Sequence, residues 1–280
     1  MSMMGILAAA TVVGTVGIFV GLFLGVAGIK FKVEVDEKEE AVLAALPGNN
    51  CGGCGYAGCS GLAAAIAKGE AAVGSCPVGG EAVSQKIAAI MGVEAGSTER
   101  MTAYVACQGT CDKANVDYDY TGAKDCRMMS FVPGGGPKSC NNGCLGFGTC
   151  ANICPFGAIR VENGVAVVDR DACKACGKCV EICPRHLITL IPYKAKMAVA
   201  CRSTDKGPVT MKACQAGCIG CGLCVKACPA QAVSVADFHA TIDQEKCTGC
   251  GACAEKCPKK AIVFLTVHTI NDTQQKMTVK

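Results

Sequence analysis

Aromatic side chains are scarce in this chain of 280 residues, which has no tryptophan, five tyrosines and eight phenylalanines. A chain of this length has room for two or three small domains, but aromatic packing can contribute little to their cores. Histidine is also rare, with three residues. We expect all three to be structural, because His186 follows a Cys-Pro-Arg sequence and the other two, His239 and His268, lie in strand-like runs.

Nucleotide-binding motifs are missing. The sequence has no Walker loop and no constellation typical of nucleophilic catalysis. Gly53, Gly55 and Gly58 match the spacing of a dinucleotide-binding loop, but cysteines interrupt the match and no predicted strand precedes it. Binding of NAD or flavin is therefore not expected of this chain.

Charged residues are absent from Met1 to Ile29, and the apolar run from Gly5 to Ile29 has 25 residues. As an α-helix rising about 1.5 Å per residue, this run is long enough to cross a bilayer. A cleaved signal peptide is the alternative, but no basic segment precedes the run and no clear cleavage site follows it. We predict a retained single-pass anchor in the cell inner membrane.

The residues that flank this anchor indicate its orientation, and its glycines indicate how it packs in the membrane. Lys30 and Lys32 follow the run directly, whereas no lysine or arginine precedes it, which predicts that the rest of the chain lies in the cytoplasm. Gly17, Gly21 and Gly25 are spaced four apart. This pattern suits packing on another membrane helix, although glycine is also simply common in such helices.

Cysteine is abundant, with 25 copies in metal-ligand spacing, which favours a reducing compartment over a disulfide scaffold. The pattern C-x-x-C-x-x-C-x-x-x-C-P occurs from Cys218 to Pro229 and again from Cys247 to Pro258. Such a pair of runs binds two [4Fe–4S] clusters, and the fourth cysteine of each run ligates the other cluster. The predicted sets are Cys218, Cys221, Cys224 and Cys257 for one cluster, and Cys247, Cys250, Cys253 and Cys228 for the other.

These two runs form one copy of an internal repeat. Shifted by 74 positions, residues 140–190 overlay residues 214–264 without a gap. Each copy predicts a ferredoxin-like unit with a β-hairpin between its runs and a closing strand after them. In the first copy, one cluster is expected to bind Cys154, Cys173, Cys176 and Cys179.

The overlay fails at one ligand position, because Phe147 stands where the second copy has Cys221. Either this cluster has three cysteine ligands, or another thiol replaces the missing one. We prefer replacement by Cys140, four residues before Cys144. On this hypothesis Cys140→Ser removes one cluster and Cys214→Ser removes none. The predicted set is Cys140, Cys144, Cys150 and Cys183.

A separate cysteine module precedes the repeat. Its cysteines follow a short predicted helix from Asp36 to Leu46 and flank an alanine-rich helix from Gly61 to Lys68. They suffice for one further cluster, which makes five [4Fe–4S] clusters in all. Loss of the metal should unfold such small units. The ligands of this module are Cys51, Cys54, Cys59 and Cys76.

Five cysteines remain outside these sets: Cys107, Cys111, Cys126, Cys201 and Cys214. They are small buried residues, ligands of a sixth cluster or members of a disulfide, and the sequence does not decide among these. The formal charge of +4 counts cysteine as neutral, whereas an oxidised four-thiolate cubane carries about −2 in total. The loaded protein should therefore be acidic, and nucleic-acid binding is not expected.

The combination of these motifs resembles the B subunit of Rnf-type electron-transport complexes. The residues that carry the resemblance are the glycine-rich anchor, Cys51-Gly-Gly-Cys-Gly-Tyr-Ala-Gly-Cys59 with Cys76-Pro77, and two ferredoxin units after Cys107-Gln-Gly-Thr-Cys111. The resemblance implies a translocase, a ferredoxin:NAD⁺ oxidoreductase that moves Na⁺ or H⁺ across the membrane. This subunit would accept electrons from soluble ferredoxin, while other membrane and peripheral subunits would reduce NAD and carry the ions.

Several lysines near the end of the second unit suit an acidic ferredoxin partner. Their alternative role is to balance the charge of the clusters. They are Lys226, Lys246, Lys256, Lys259 and Lys260.

The predicted fold is α+β, with an anchor helix at 1–29, a juxtamembrane segment and 4Fe-4S module at 30–97, and ferredoxin-like units at 98–190 and 191–280. Two alternative functions remain. The iron–sulfur subunit of a membrane-bound hydrogenase or dehydrogenase would share the ferredoxin units, but the N-terminal module is less expected there. A zinc-stabilised scaffold would use C-x-x-C pairs, but would leave the third cysteine of each run unused.

Overall fold

The computed structural model describes residues 3–30, 36–96 and 99–265. Its first element, helix α1, extends over Met3–Lys30. The segment Thr11–Gly28 has a mean hydropathy of 2.1 and is not buried against the rest of the chain. Within the described residues it is the one helix long and apolar enough to cross a membrane, as the sequence predicts. Lys32 lies outside the described residues.

Three helices build the module that follows. They are α2 (Glu37–Ala45), α3 (Cys59–Ala67) and α4 (Gly80–Met91). The Asp36 side chain accepts a hydrogen bond from the Lys38 amide and so caps α2. Apolar side chains from all three helices form a common core, in which Val42, Leu62, Ile66 and Ile87 are fully buried.

The first ferredoxin-like unit consists of two antiparallel strand pairs and two short helices. Strand β1, which precedes the cysteine runs, pairs with the closing strand β4, and strands β2 and β3 form the hairpin between the runs. Helices α5 and α6 each carry the third cysteine of a run. The bounds are β1 Met101–Val105, α5 Thr149–Asn152, β2 Ile159–Glu162, β3 Val165–Val168, α6 Lys178–Ile182 and β4 Ile188–Pro192.

The second unit repeats this arrangement. Strand β5 pairs with β8, strands β6 and β7 form the hairpin, and α8 and α9 stand where α5 and α6 stand in the first unit. From α5 and α8 onward, equivalent elements are offset by 74 positions, which confirms the repeat seen in the sequence. The bounds are β5 Met197–Val199, α7 Gly207–Ala213, α8 Leu223–Ala227, β6 Val233–Ala236, β7 His239–Ile242, α9 Ala252–Glu255 and β8 Ile262–Phe264.

A buried arginine fixes the connection between the two units. The Arg170 guanidinium donates hydrogen bonds to the carbonyls of Tyr193 and Ala195, and also to Leu265 beyond β8. Arg100 lies 3.9 Å from the centre of the Tyr193 ring. The linker is therefore held by both units rather than free between them.

Candidate metal centres

In the N-terminal module, Cys76 lies in the buried core of the three helices, and Cys54 and Cys59 pack against this core. The Cys76 thiol is buried, which raises its pKa, and the neighbouring thiols of Cys51 and Cys54 add to the increase. The Gly79 amide lies 3.4 Å from the Cys76 sulfur. Cys59 opens α3, and its amide donates to the Asn50 side chain at 2.8 Å. This loop depends on glycine at Gly58, whose φ is +100° and whose Cβ would lie 2.8 Å from the Asn50 oxygen.

In the second ferredoxin-like unit, each cysteine run contributes to two groups. One cavity is lined by three cysteines of the first run together with Cys257 from the second. The other group forms around Cys253, whose pKa is raised by burial and by the thiols of Cys228 and Cys247. The exchange of fourth cysteines between the runs follows the pattern of two-cluster ferredoxins. The first cavity is lined by Cys218, Cys221, Cys224 and Cys257.

The first unit has one regular group. Burial raises the pKa of the Cys179 thiol to about 12, and the thiols of Cys173 and Cys176 add to the increase. Two backbone amides point at the Cys173 sulfur, that of Ala103 at 3.3 Å and that of Ala175 at 3.4 Å. The cavity is lined by Cys154, Cys173, Cys176 and Cys179.

The irregular group of the first unit differs from the sequence hypothesis. Its cavity is lined by Cys144, Cys150, Cys183 and Cys126. Burial raises the pKa of Cys150 to about 12, and the other three thiols add to this increase. Cys140 faces a different cavity, so we correct its predicted grouping. The reason is that Cys140 shares its cavity with Cys107 and Cys214, whereas Cys126 lies on a segment that is hydrogen-bonded to the start of α5.

Two contacts hold that segment in place. The Cys126 amide donates to the Thr149 hydroxyl at 2.9 Å, and this hydroxyl lies 3.0 Å from Asp125. Asp125 also caps the short helical turn Cys126–Phe131, and its bonds to Arg127 lower the pKa of the carboxyl to about 2. Because Thr149 begins α5, the turn that carries Cys126 is tied to the helix that carries Cys150.

Sequence reasoning missed Cys126 because no fixed spacing relates it to the run that it completes. The available signal was a difference in length between the copies. Cys140 follows Cys107 by 33 positions, whereas Cys214 follows Cys201 by 13. The first copy thus has an insertion of 20 residues, and the structure places Cys126 in it. Tyr120, also in the insertion, has its ring centre 5.8 Å from that of Phe147.

The remaining cysteines divide into a group and a single residue. Cys111 is exposed. The others line one further cavity between the two units: Cys107, Cys140, Cys201 and Cys214. His186 and His239 line none of the cysteine cavities, and His268 lies outside the described residues.

These groups suit [4Fe–4S] clusters in their donor chemistry. Every donor is a thiol, and all 25 cysteines are free of disulfides. Backbone amides point at the sulfurs, as at Cys228 and Cys257, where the distances are 3.3 Å. Within the described ranges, no three His, Cys, Asp or Glu side chains converge on a point where they could bind a single metal ion.

Protein-family models match the cysteine-rich part of the chain. A model described as "Putative Fe-S cluster" matches residues 46–78. Models of a 4Fe-4S dicluster domain match residues 137–184 in the first unit, and residues 172–232 and 217–261. The chain therefore has an Fe-S module followed by 4Fe-4S dicluster domains, in the order predicted from its cysteines.

Three relatives decide the family. The chain is 46% identical over 242 residues to the B subunit of the Na(+)-translocating ferredoxin:NAD(+) oxidoreductase complex of Acetobacterium woodii, covering 86% of this chain and 72% of the relative. It belongs to the B subunits of Rnf-type ion-translocating oxidoreductase complexes. The B subunit of the ion-translocating oxidoreductase complex of Methanosarcina acetivorans is 43% identical over 84% of this chain and 89% of its own. The B subunit of the proton-translocating ferredoxin:NAD(+) oxidoreductase complex of Clostridium ljungdahlii is 39% identical, over 82% of this chain and 81% of the relative. The predicted resemblance is confirmed.

Proposed function

We propose that this Rnf-type B subunit carries electrons from reduced ferredoxin through a row of [4Fe–4S] clusters to partner subunits that reduce NAD and translocate Na⁺ or H⁺. The observation that carries the proposal is the series of cysteine groups that extends from the N-terminal module to the second unit. Membership of a family whose relatives are named ferredoxin:NAD(+) oxidoreductase subunits supports the choice of donor and acceptor.

The proposed ligands of five clusters follow the sequence prediction with one exchange, Cys126 for Cys140. When bound, a [4Fe–4S] cluster takes up and releases single electrons. The proposed sets are Cys51, Cys54, Cys59 and Cys76; Cys154, Cys173, Cys176 and Cys179; Cys126, Cys144, Cys150 and Cys183; Cys218, Cys221, Cys224 and Cys257; and Cys228, Cys247, Cys250 and Cys253.

The surrounding residues would tune these sites. Amides that point at ligand sulfurs stabilise the more negative, reduced state and so raise the reduction potential. Exposure to water differs as well, because Cys221 and Cys250 are exposed whereas Cys173, Cys176 and Cys179 are buried. The second unit is therefore the more accessible of the two for an external electron donor.

The N-terminal module touches the first unit at a cluster ligand. A Cβ on Gly53 would lie 2.6 Å from the Cys176 carbonyl oxygen, so glycine permits this close approach. The Cys51 thiol also contributes to the raised pKa of Cys176. We infer that the module continues the row of clusters at the end opposite to the second unit.

The lysines of the second unit form the proposed docking surface for ferredoxin. Lys226, Lys256 and Lys260 are exposed, and they lie on the same unit as the two exposed cysteines. Lys246 is bound to Asp243 at 3.3 Å, so its charge is already balanced. An acidic ferredoxin would be attracted to the uncompensated lysines.

We further propose that α1 spans the inner membrane with the cysteine-rich part of the chain in the cytoplasm. Its apolar composition supports the membrane span, and the lysine at its end supports the orientation. Labelling of an introduced cysteine is unsuitable because the chain already has 25 cysteines. Protease digestion of sealed vesicles is therefore the appropriate test. Cleavage of the cysteine-rich part only in inside-out vesicles is expected, and cleavage in right-side-out vesicles would contradict the orientation.

The function is tested by adding reduced ferredoxin to the anaerobically purified full chain. We expect the visible absorption of the clusters to bleach and the EPR signals of reduced clusters to form. A chain that contains zinc and no visible absorption would instead support the scaffold. Copurification with hydrogenase or dehydrogenase subunits would support the other alternative.

A further inference from the structure

We propose that Cys107, Cys140, Cys201 and Cys214 form an additional [4Fe–4S] site that bridges the two ferredoxin-like units. The proposal rests on the proposed electron-transfer function but uses none of the cysteines assigned above. All four residues line one cavity, together with residues of both units.

The four thiols lie close to one another. Burial raises the pKa of the Cys140 thiol, and the thiols of Cys107 and Cys214 add to the increase. Burial likewise raises the pKa of Cys201 to about 11, with Cys140 among the contributing thiols. A Cβ on Gly109 would lie 3.4 Å from the Cys214 sulfur and 3.6 Å from the Cys107 sulfur. The shared cavity and the distances at Gly109 place the four thiols in a single group.

The site is built from equivalent residues of the two copies. Cys107 follows the end of β1 by two residues, as Cys201 follows the end of β5. The residue before each cysteine donates to the carbonyl of the residue that precedes the closing strand. The Ala106 amide donates to Leu187 at 2.8 Å, and the Ala200 amide donates to Ala261 at 2.7 Å. Cys140 and Cys214 are themselves equivalent under the offset of 74. Each copy thus supplies the same two thiols.

The hydrogen bonds to the sulfurs repeat in the same way. The amide two residues after each cysteine points back at its sulfur, from Gly109 to Cys107 at 3.4 Å and from Ser203 to Cys201 at 3.5 Å. A second amide also comes from a cluster ligand in each copy. Cys144 donates to Cys107 at 3.3 Å, and the Cys218 amide donates to Cys201. Four amides directed at two sulfurs are typical of thiolates that ligate a cluster.

A buried cation and an unpartnered hydroxyl accompany these thiols. Lys138, which lines the cavity and is 7% exposed, donates to the carbonyls of Gly109 at 2.9 Å and Gly164 at 2.8 Å. The buried Tyr104 hydroxyl has no hydrogen-bond partner in the described part of the chain, and its pKa is raised by burial and by Cys107 and Cys201. An anionic cluster would balance the lysine charge and offer sulfur acceptors to the hydroxyl.

The position of the site gives it a role. Cys107 touches a ligand of the irregular cluster in the first unit, and Cys201 touches a ligand of the second unit. A cluster here would gain one electron as its neighbour on one side is oxidised and lose it as its neighbour on the other side is reduced, with no atom or proton transferred. Electron flow between the two units would then need no direct contact between their own clusters.

The experiment measures iron, acid-labile sulfide and zinc in the anaerobically reconstituted full chain. We expect about 24 iron atoms per chain, and about 20 in Cys107→Ser and in Cys214→Ser. The control Cys111→Ser changes the exposed cysteine and should keep about 24. Tyr104→Phe should keep the iron and alter the EPR spectrum of the reduced protein.

Several results would overturn the proposal. A native chain with about 20 iron atoms would do so even if the serine variants failed to fold. So would one bound zinc in place of four irons, or a Cys214→Ser protein with the native iron content. In each of these cases ferredoxin would still reduce the other clusters and the proposed function would stand. A native chain without iron and sulfide would overturn both.

Discussion

The two ferredoxin-like units share their elements but differ in the cysteines that line one proposed cluster site. In the second unit these cysteines all belong to the regular runs, whereas in the first Phe147 stands at a run position and the insertion supplies Cys126. The insertion also pairs with the second unit, where the Asn115 amide donates to Ala213 at 2.9 Å. The segment that supplies Cys126 therefore also fastens one unit to the other.

The largest effect is expected from changing Cys126. Cys126→Ser should remove one cluster, about four iron atoms per chain, and abolish electron transfer through the first unit. The double variant Cys126→Ser with Phe147→Cys should regain the cluster, because it restores the run found in the second unit. Iron analysis and EPR spin quantification test both. A Cys126→Ser protein with undiminished iron would contradict the role of Cys126 as a cluster ligand.

The next effect comes from a pair of equivalent lysines. Lys138 is buried, whereas Lys212, its counterpart at an offset of 74, is exposed. Lys138→Met leaves two carbonyls without their donor, which should cost about 1–3 kcal/mol in the free energy of unfolding. Lys212→Met should change it by less than about 0.5 kcal/mol. Chemical denaturation of the anaerobic, loaded protein measures both free energies of unfolding. Equal losses in the two variants would contradict a stabilising role for the hydrogen bonds of the buried Lys138.

A smaller effect is expected at the contact that holds the insertion. Thr149→Val removes the hydroxyl that accepts from the Cys126 amide and should cost about 1 kcal/mol. The irregular cluster should then be the first to be lost on exposure to oxygen or chelator. Thr149→Ser keeps the hydroxyl and serves as the control. If the two variants lose iron at the same rate, the hydroxyl does not hold Cys126.

The smallest effect concerns ferredoxin docking on the second unit. Charge reversal of Lys256 and Lys260 should slow reduction by ferredoxin about tenfold or less at low salt, and the difference should vanish at high salt. Lys246→Glu changes a lysine already paired with Asp243 and should have a weaker effect. Stopped-flow absorption measures the rates. Equal rates at low salt for the docking variant and the native chain would exclude this surface.

The sequence predicted the parts of this molecule that depend on local spacing. The anchor helix, the repeat and the regular cysteine runs follow from hydropathy, an offset of 74 and the C-x-x-C pattern. Cys126 and Cys140 could not be placed in this way, because long-range folding of the insertion decides which cavity each of them faces. The pairing of Cys107 with Cys201 was hidden for the same reason, since the insertion disrupts the register of the repeat.

The number of electrons that the chain accepts tests the central claim most directly. Coulometric titration of the fully loaded native chain should record about six electrons, one for each [4Fe–4S] cluster. The value should fall to about five in Cys126→Ser and return to about six when Phe147→Cys is added. A native value of five would contradict the cluster between the two units, and a Cys126→Ser value equal to the native one would contradict completion of the irregular cluster by the insertion.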